Sequence, residues 1–198
     1  MSITDTGSTS KYSASGAVQI TGGTPLGDYS LAHMGGAGQT GSDNAYFRVP
    51  GTIGAVSDFY LSYTNVETYT GANTILFRAE YSCSTTGITH RPKIWNFTTA
   101  SWEDLTTASI ACSATDATNA WAKSNIIMSD YVSSGEIRIG WHGLAAGTQE
   151  LRIDMAYVMI GSVNTSGTAE ISMGTNSANS VTNTRDLDMT GTSNTWSI

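Results

Sequence analysis

The chain has 198 residues, enough for one ordinary domain with extensions, and only 13% of them are charged against the roughly 25% usual for soluble domains. Nine Lys and Arg, scattered among sixteen Asp and Glu, leave a net charge of −7; they form no phosphate-binding stripe, which excludes nucleic acid as a partner. No window approaches the ~18 consecutive apolar residues of a membrane span, so no membrane partner is expected either.

Ser, Thr, Asn and 21 Gly stand in for the missing charges, a composition that favours strands and turns over long helices. The opening MSITDTGSTSKYSASG has neither a basic start nor an apolar core, and does not read as a secretory signal. Abundant hydroxyl side chains without an export signal leave two readings: release by cell lysis as part of a particle, or a signal that stood ahead of Met1. Residues 1–41 hold one strand-like run, at 17–20; after it, TGGTPLGDYSLAHMGGAGQTG carries too many breakers for regular elements. This stretch is expected to form an extended N-terminal arm. Gly35, Gly36 and Gly38 imitate a phosphate loop, but the Lys-Ser/Thr ending and the following helix are missing.

Regular patterning begins at 45–49, ahead of the Pro50-Gly51 turn pair. In 55–63, Val56, Asp58, Tyr60 and Ser62 alternate with Phe59, Leu61 and Tyr63. In 74–82, Ile75, Phe77, Ala79 and Tyr81 alternate with Leu76, Arg78 and Glu80. Further strands are expected at 93–98, 102–105, 109–112, 120–128 and 136–142, with a tight connection at 99–101. In the run 150–160, Leu151, Ile153, Met155, Tyr157 and Met159 share one face while Arg152, Asp154, Ala156, Val158 and Ile160 share the other. Most of both faces is apolar, as suits a strand inside a sandwich. Spacings near 8–12 residues, with no sustained helical period, make residues 42–162 an all-β sandwich or barrel.

Residues 163–198 are polar, and on composition alone they suit a disordered tail as well as an arm that orders on assembly. Alternating apolar positions at 169–173 and 180–189, and the terminal anchors Trp196 and Ile198, favour an arm pinned to a neighbouring subunit. Cys83 and Cys112 are expected to be small buried thiols, since a core of this size needs no bridge and spacing alone cannot establish one.

Catalysis is not expected. His33, His90 and His142 lie in no metal-binding motif, no GxSxG elbow occurs, and Glu103 and Asp104 would point to opposite faces of a strand. Trp95 and Trp102, on strands joined by a short turn, can place two indoles side by side. Asn96, Thr98 and Thr99 can satisfy the turn's backbone. The pair serves either as core packing or as an exposed platform for a sugar ring. Asn96-Phe97-Thr98 is also a formal glycosylation sequon.

Three stretches resemble the galactose-binding-like jelly roll, the family of many carbohydrate-binding modules and many phage virion domains. KIWNFTTASWEDL (93–105) resembles its strand–turn–strand unit, YVSSGEIRIGWHG (131–143) its penultimate strand, and LRIDMAYVMI (151–160) its closing strand. The resemblance implies an all-β jelly-roll β-sandwich over 42–162, flanked by extended arms at 1–41 and 163–198. It also implies carbohydrate-binding residues Trp95, Trp102 and Trp141, among a wider set with Trp121 and Tyr60. Asp154 matches the position at which relatives hold a structural calcium. No acidic cluster stands near it in sequence, and pairing with Arg138 or Arg152, or a hydrogen bond at the sandwich edge, competes with that role.

The leading expectation is a non-enzymatic virion protein: a capsid-decorating (cement) or other surface protein of a tailed phage, assembled in the host cytoplasm. Its partners would be the major capsid or another virion protein, neighbouring copies of itself in a closed homo-oligomer, and a host-surface glycan. The alternative is a carbohydrate-binding module or lectin-like adhesion domain of a secreted or phage-adsorption protein. No cofactor is expected, a structural calcium at Asp154 being the one candidate and an ion pair or hydrogen bond the preferred role for that residue.

Overall fold

Period-two alternation gives each of several segments one apolar face, and such faces can be buried only against each other. The computed structural model, which describes residues 11–21, 43–50, 57–68, 71–84, 89–144, 150–163 and 171–173, shows that arrangement: two antiparallel sheets packed together. In chain order the elements are β1 (Tyr12–Ser13), β2 (Gly16–Thr21), β3 (Phe47–Pro50), β4 (Ser57–Tyr63), β5 (Thr74–Cys83), β6 (Thr89–Asn96), β7 (Ser101–Asp104), β8 (Ile110–Ala111), β9 (Ala117–Ser124), α1 (Met128–Tyr131), β10 (Ile137–Leu144), β11 (Glu150–Val163) and β12 (Ile171–Met173). The first sheet runs β1-β11-β5-β9, with β3 and β12 also on β11. The second runs β2-β4-β10-β6-β7, with β8 on β6.

Numbering β3, β4, β5, β6, β7, β9, β10 and β11 as strands one to eight, the sheets read 1-8-3-6 and 2-7-4-5. That is the strand order of a jelly roll, so the chain is an all-β jelly-roll sandwich. The expected run 120–128 is shorter than its pattern: β9 ends at Ser124, and Asn125 turns the chain in the left-handed region (φ 58°) before the single turn of α1.

Phe59, Leu61, Tyr63, Ile94, Ile137 and Ile139 of the second sheet meet Ile75, Phe77, Ala79, Tyr81 and Val158 of the first in one core. Each large side chain so buried contributes about 1.5–3 kcal/mol relative to exposure. The closing strand departs from simple alternation. A bulge between Ile153 and Met155, opposite Tyr81 and Glu80, inserts Asp154 and reverses the facing of everything after it. Leu151, Ile153, Ala156, Val158 and Ile160 therefore face the core, while Met155, Tyr157 and Met159 form a second buried cluster with Leu76. Both faces of β11 are buried, but not with the residue sets that uninterrupted alternation predicts.

Part of the expected N-terminal arm belongs to the sandwich. Tyr12 and Ser13 pair with Val158 and Tyr157, and β2 pairs along β4, with only Ala14 and Ser15 between the two sheets. Small residues make this close approach feasible: a β-carbon on Gly16 would stand 2.7 Å from Ser62 Oγ. At the other end, β12 pairs with Gly161, Ser162 and Val163 as the return strand of a hairpin. The remainder of 1–41 and of 163–198, including His33, Trp196 and Ile198, lies outside the described residues.

The cysteines are bridged, contrary to the expectation of two thiols. Cys83 and Cys112 form a disulfide with their Cα atoms 5.8 Å apart. The backbone explains it: the Cys83 N–H donates to the Ser113 carbonyl at 2.8 Å, holding the two segments side by side. The bridge joins the end of β5 in the first sheet to the segment leaving β8, which pairs with β6 of the second.

Candidate functional site

Strand parity decides which side chains leave the core. In the second sheet Phe59, Leu61, Ile94, Ile137 and Ile139 point inward, so their neighbours Asp58, Tyr60, Lys93, Trp95, Arg138, Gly140 and His142 lie on the outer face. Direct cross-strand pairing sets Trp95 opposite Trp102, Lys93 opposite Asp104, and Gly140 between Tyr60 and Lys93. Trp102 is the hub of the resulting cluster. Its ring lies 5.1 Å from Trp95 at 67°, 5.1 Å from His142, and 5.7 Å from Tyr60 at 48°. The four rings are half-buried, and Val18 and Ile20 of β2 extend the apolar strip to the sheet edge with 43% and 41% exposure.

Trp141 is not part of this face. It has no exposed surface, stacks on Phe59 at 5.5 Å and 13°, and meets Phe77 edge-on at 5.2 Å. Its indole N–H donates to His90 Nδ1 at 3.0 Å. Trp141 shares parity with Ile137 and Ile139, and that parity places it in the core. Trp121 stacks on Phe77 at 5.5 Å from the first sheet and is equally remote from the cluster.

The β6–β7 turn is fixed from below. Asn96 Oδ1 accepts the Thr98 and Thr99 backbone N–H groups at 2.9 and 3.0 Å, as the turn chemistry predicts, and Ala100 takes the left-handed conformation (φ 49°). Asn96 is buried and its amide donates to Glu103 at 2.7 Å, so the folded chain does not offer this sequon for modification. Glu103 also accepts the Tyr131 hydroxyl at 2.7 Å and pairs with Lys123 of the opposite sheet at 2.8 Å. Lys123 first, then Tyr131, hold the Glu103 carboxyl down at about 2, and burial, aided by Glu103, pushes the Tyr131 hydroxyl up to about 12. Glu103 and Asp104 face opposite ways, as their adjacency requires: Asp104 sits on the outer face, bonded to Arg91 at 3.1 Å and Lys93 at 3.4 Å.

Arg138 and Asp58, also beside the rings, each have a partner, a carboxylate for the first and a histidine for the second. Arg138 forms a two-pronged bond to Glu136 at 2.9 Å on each arm and lies over the rings of Phe97 and Tyr60 at 5.0 and 5.6 Å. His142 Nδ1 stands 3.2 Å from Asp58; burial lowers its pKa although Asp58 opposes the shift. The face offers aromatic surface, hydrogen-bonding groups, and little uncompensated charge.

On the outer side of the first sheet the bulge aims Asp154 at Glu80 and Asp116. Each of the three offers a carboxylate oxygen, all within 4.8 Å of one another. Fully buried Asp154 accepts the backbone N–H groups of Asp43 and Asn44 at 3.1 and 3.2 Å. Asp116 Oδ2 accepts the Tyr46 hydroxyl at 2.7 Å, which pushes Tyr46 up to about 12, while Oδ1 is buried without a hydrogen-bond partner. The acidic cluster that the linear sequence lacks around Asp154 is thus assembled by folding. Arg138 and Arg152, the expected ion-pair partners of Asp154, instead bond Glu136 and Glu150.

Sequence reasoning singled out Trp95, Trp102, Tyr60 and Asp154, which the fold places in these two clusters, but not their neighbours Lys93, Asp104, Gly140, His142, Glu80 and Asp116. Parity alone, counted from Ile94 and Ile139, would have found Lys93, Gly140 and His142. Glu80 and Asp116 reach Asp154 only through a bulge that alternation does not announce.

No protein-family model matches the chain, and no curated protein is similar to it. Among solved structures it is similar to a carbohydrate-binding module, CBM4, with a TM-score of 0.46 and 15% identity over 73% of this chain and 94% of that one. It is also similar to the N-terminal cellulose-binding domain from Cellulomonas fimi beta-1,4-glucanase C, with a TM-score of 0.43 and 16% identity over 69% and 96%. A third likeness is to the enzymatically active domain of the bacteriophage CBA120 tailspike protein 4, with a TM-score of 0.36 and 14% identity over 62% of this chain and 17% of that one.

Proposed function

We propose that the chain is a non-catalytic carbohydrate-binding module that holds a neutral glycan on the outer face of its second sheet. The observation that carries this reading is the cluster of Tyr60, Trp95, Trp102 and His142 on one sheet face, bordered by polar side chains already paired in charge. A pyranose ring has an apolar C–H face that packs on an indole and equatorial hydroxyls that reach neighbouring polar groups. Asp58, Lys93, Asp104 and Arg138 stand where such hydroxyls would find them. Arg91 and Lys93 already share Asp104 and Arg138 already holds Glu136, so a polyanionic ligand would compete with these carboxylates while a neutral one leaves the pairs in place.

The disulfide supports a working environment that is oxidising, as outside cells. The capsid-decoration expectation rests on a β-sandwich, low charge, an opening that does not read as an export signal and polar arms at 1–41 and 163–198; most of the arms lie outside the described residues, and no described residue favours it over a glycan-binding module.

A calcium ion, if resident, would be held by Glu80, Asp116 and Asp154. Three carboxylates and a buried oxygen without a hydrogen-bond partner fit a hard, oxygen-seeking cation. Its role there would be structural, bracing the bulge of β11 on the side of the sandwich opposite the aromatic face.

A glycan array followed by titration calorimetry tests the main reading. Binding to a neutral glycan is expected, with Trp95→Ala and Trp102→Ala each lowering affinity by at least roughly tenfold while the unfolding midpoint stays near that of the parent. Undiminished binding by both variants would overturn the assignment of the face.

A further inference from the structure

We infer that Gly140 is a specificity-determining position of the glycan-binding face, acting through Trp102, whose ring it seats; the inference deepens the proposed reading and rests on it. Trp102 belongs to β7, the edge strand, yet its ring touches Trp95 of β6, His142 of β10 and Tyr60 of β4. An indole reaches that far only by lying across the sheet, and it can lie there only where nothing stands up beneath it. The outward position of β10 between Arg138 and His142 is Gly140. A β-carbon at that position would stand 3.0 Å from Trp102 Cζ3 and 2.9 Å from His142 Nε2. Carbon atoms pack best at about 3.5–4.0 Å, so any side chain at 140 must displace the indole or the imidazole.

Backbone conformation does not explain the glycine. Among the described residues the glycines with positive φ are Gly71 and Gly135, so Gly140 has an ordinary strand geometry that alanine can adopt. Glycine weakens a strand interior, and the centre of a sheet is a costly place for it. Space for the Trp102 and His142 rings, packed together over position 140, is the local feature that calls for its absent side chain. On the opposite face of β7, Glu103 ties the strand to Asn96, Tyr131 and Lys123, so Trp102 is anchored below and seated at its tip. The ring is thereby held between Trp95 and Tyr60 at a fixed tilt to each, and that tilt sets which sugar shapes fit. A side chain at 140 presses on the Trp102 indole and on the His142 imidazole packed against it, and so shifts the paired rings that the ligand would meet.

The test is a double-mutant cycle on the full chain with Gly140→Ala, Trp102→Ala and the pair. It is read by calorimetric affinity for the glycan the parent binds, near-UV circular dichroism of the coupled indoles, and thermal unfolding. Gly140→Ala is expected to stay folded, to lose the coupled-indole signal, and to bind roughly tenfold more weakly or change its glycan preference; the double variant should bind no worse than Trp102→Ala alone. Parent-like affinity, preference and dichroism in Gly140→Ala, or additive losses in the double variant, would overturn the inference. Should Gly140→Ala not fold, the α-protons of Gly140 in the parent decide the matter. Their chemical shift must carry a ring-current displacement that Trp102→Ala removes, and an unchanged shift overturns the seating. If the parent binds no arrayed glycan, the proposed function fails, while the dichroism and α-proton shift still judge the contact between Gly140 and Trp102.

Discussion

His90 shows how one core side chain sets the response of the whole fold to acid. It is 1% exposed, accepts the Trp141 indole N–H, and packs at right angles to the Tyr81 ring at 4.8 Å. Burial lowers its pKa from 6.5 to about 4. The folded value lies below the unfolded one, so the stabilisation of the neutral form is complete above about pH 6.5 and is lost as pH falls toward 4; the difference is worth about 3 kcal/mol. His142, also lowered by burial, adds to the loss with the same sign, and Glu103, held at about 2, extends the decline below its unfolded value of 4.5. The urea midpoint should therefore be level above pH 7 and drop steeply between pH 6.5 and 4. A His90→Gln variant, which can still accept from Trp141 but cannot titrate, should start lower at pH 7 and lose much of that slope. An equally steep decline in the variant would remove His90 from the explanation. The aromatic residues are visible in the sequence, but which face each takes depends on strand register: Trp95 and Trp141 lie on opposite sides of one sheet because they fall on opposite parities relative to Ile94 and Ile139.

At the scale of elements, the strands of the sandwich were legible wherever alternation was long, as in β4, β5 and β10. β1 was hidden by its shortness, and although the run at 17–20 read as a strand, nothing in it showed that it pairs with Asp58–Ser62 of β4 rather than lying in an arm. Deleting residues 1–21 should thus cost at least about 2 kcal/mol, or roughly 4–8 °C in the unfolding midpoint, because it uncovers apolar surface on Tyr12, Ala14 and Ala17 contacts and bares the edge of β4. A midpoint that does not move would mean that this segment is an appendage after all. The disulfide closes a loop with a sequence separation of 29, for which chain entropy gives about 3–4 kcal/mol. The Cys83→Ala, Cys112→Ala pair should show that loss as a lower denaturant midpoint with the slope little changed. Spacing could not reveal this bridge, since it depends on β5 and the segment after β8 meeting across the sandwich edge. Nor could it reveal the bulge at Asp154, which costs one residue of register and turns an apparent ion-pair partner into one member of a carboxylate cluster.

Taken whole, the molecule separates two sites by the thickness of a sandwich: carboxylates on the outer side of one sheet, aromatic rings on the outer side of the other. If the carboxylates hold calcium, adding the ion at 100 times its dissociation constant should stabilise the fold by about 2.7 kcal/mol. Asp154→Asn should abolish that response and leave glycan affinity unchanged, because the cation braces β11 rather than the ligand face. Where a glycan lands decides which of the two faces binds it. The most direct measurement is amide and indole chemical-shift mapping by NMR during titration with the neutral glycan that binds best. The account predicts that shifts concentrate on Tyr60, Gly140, His142 and the indole N–H groups of Trp95 and Trp102, with the indole N–H of Trp141 unmoved. Shifts centred on the first sheet, or no saturable shifts with any neutral glycan, would contradict it.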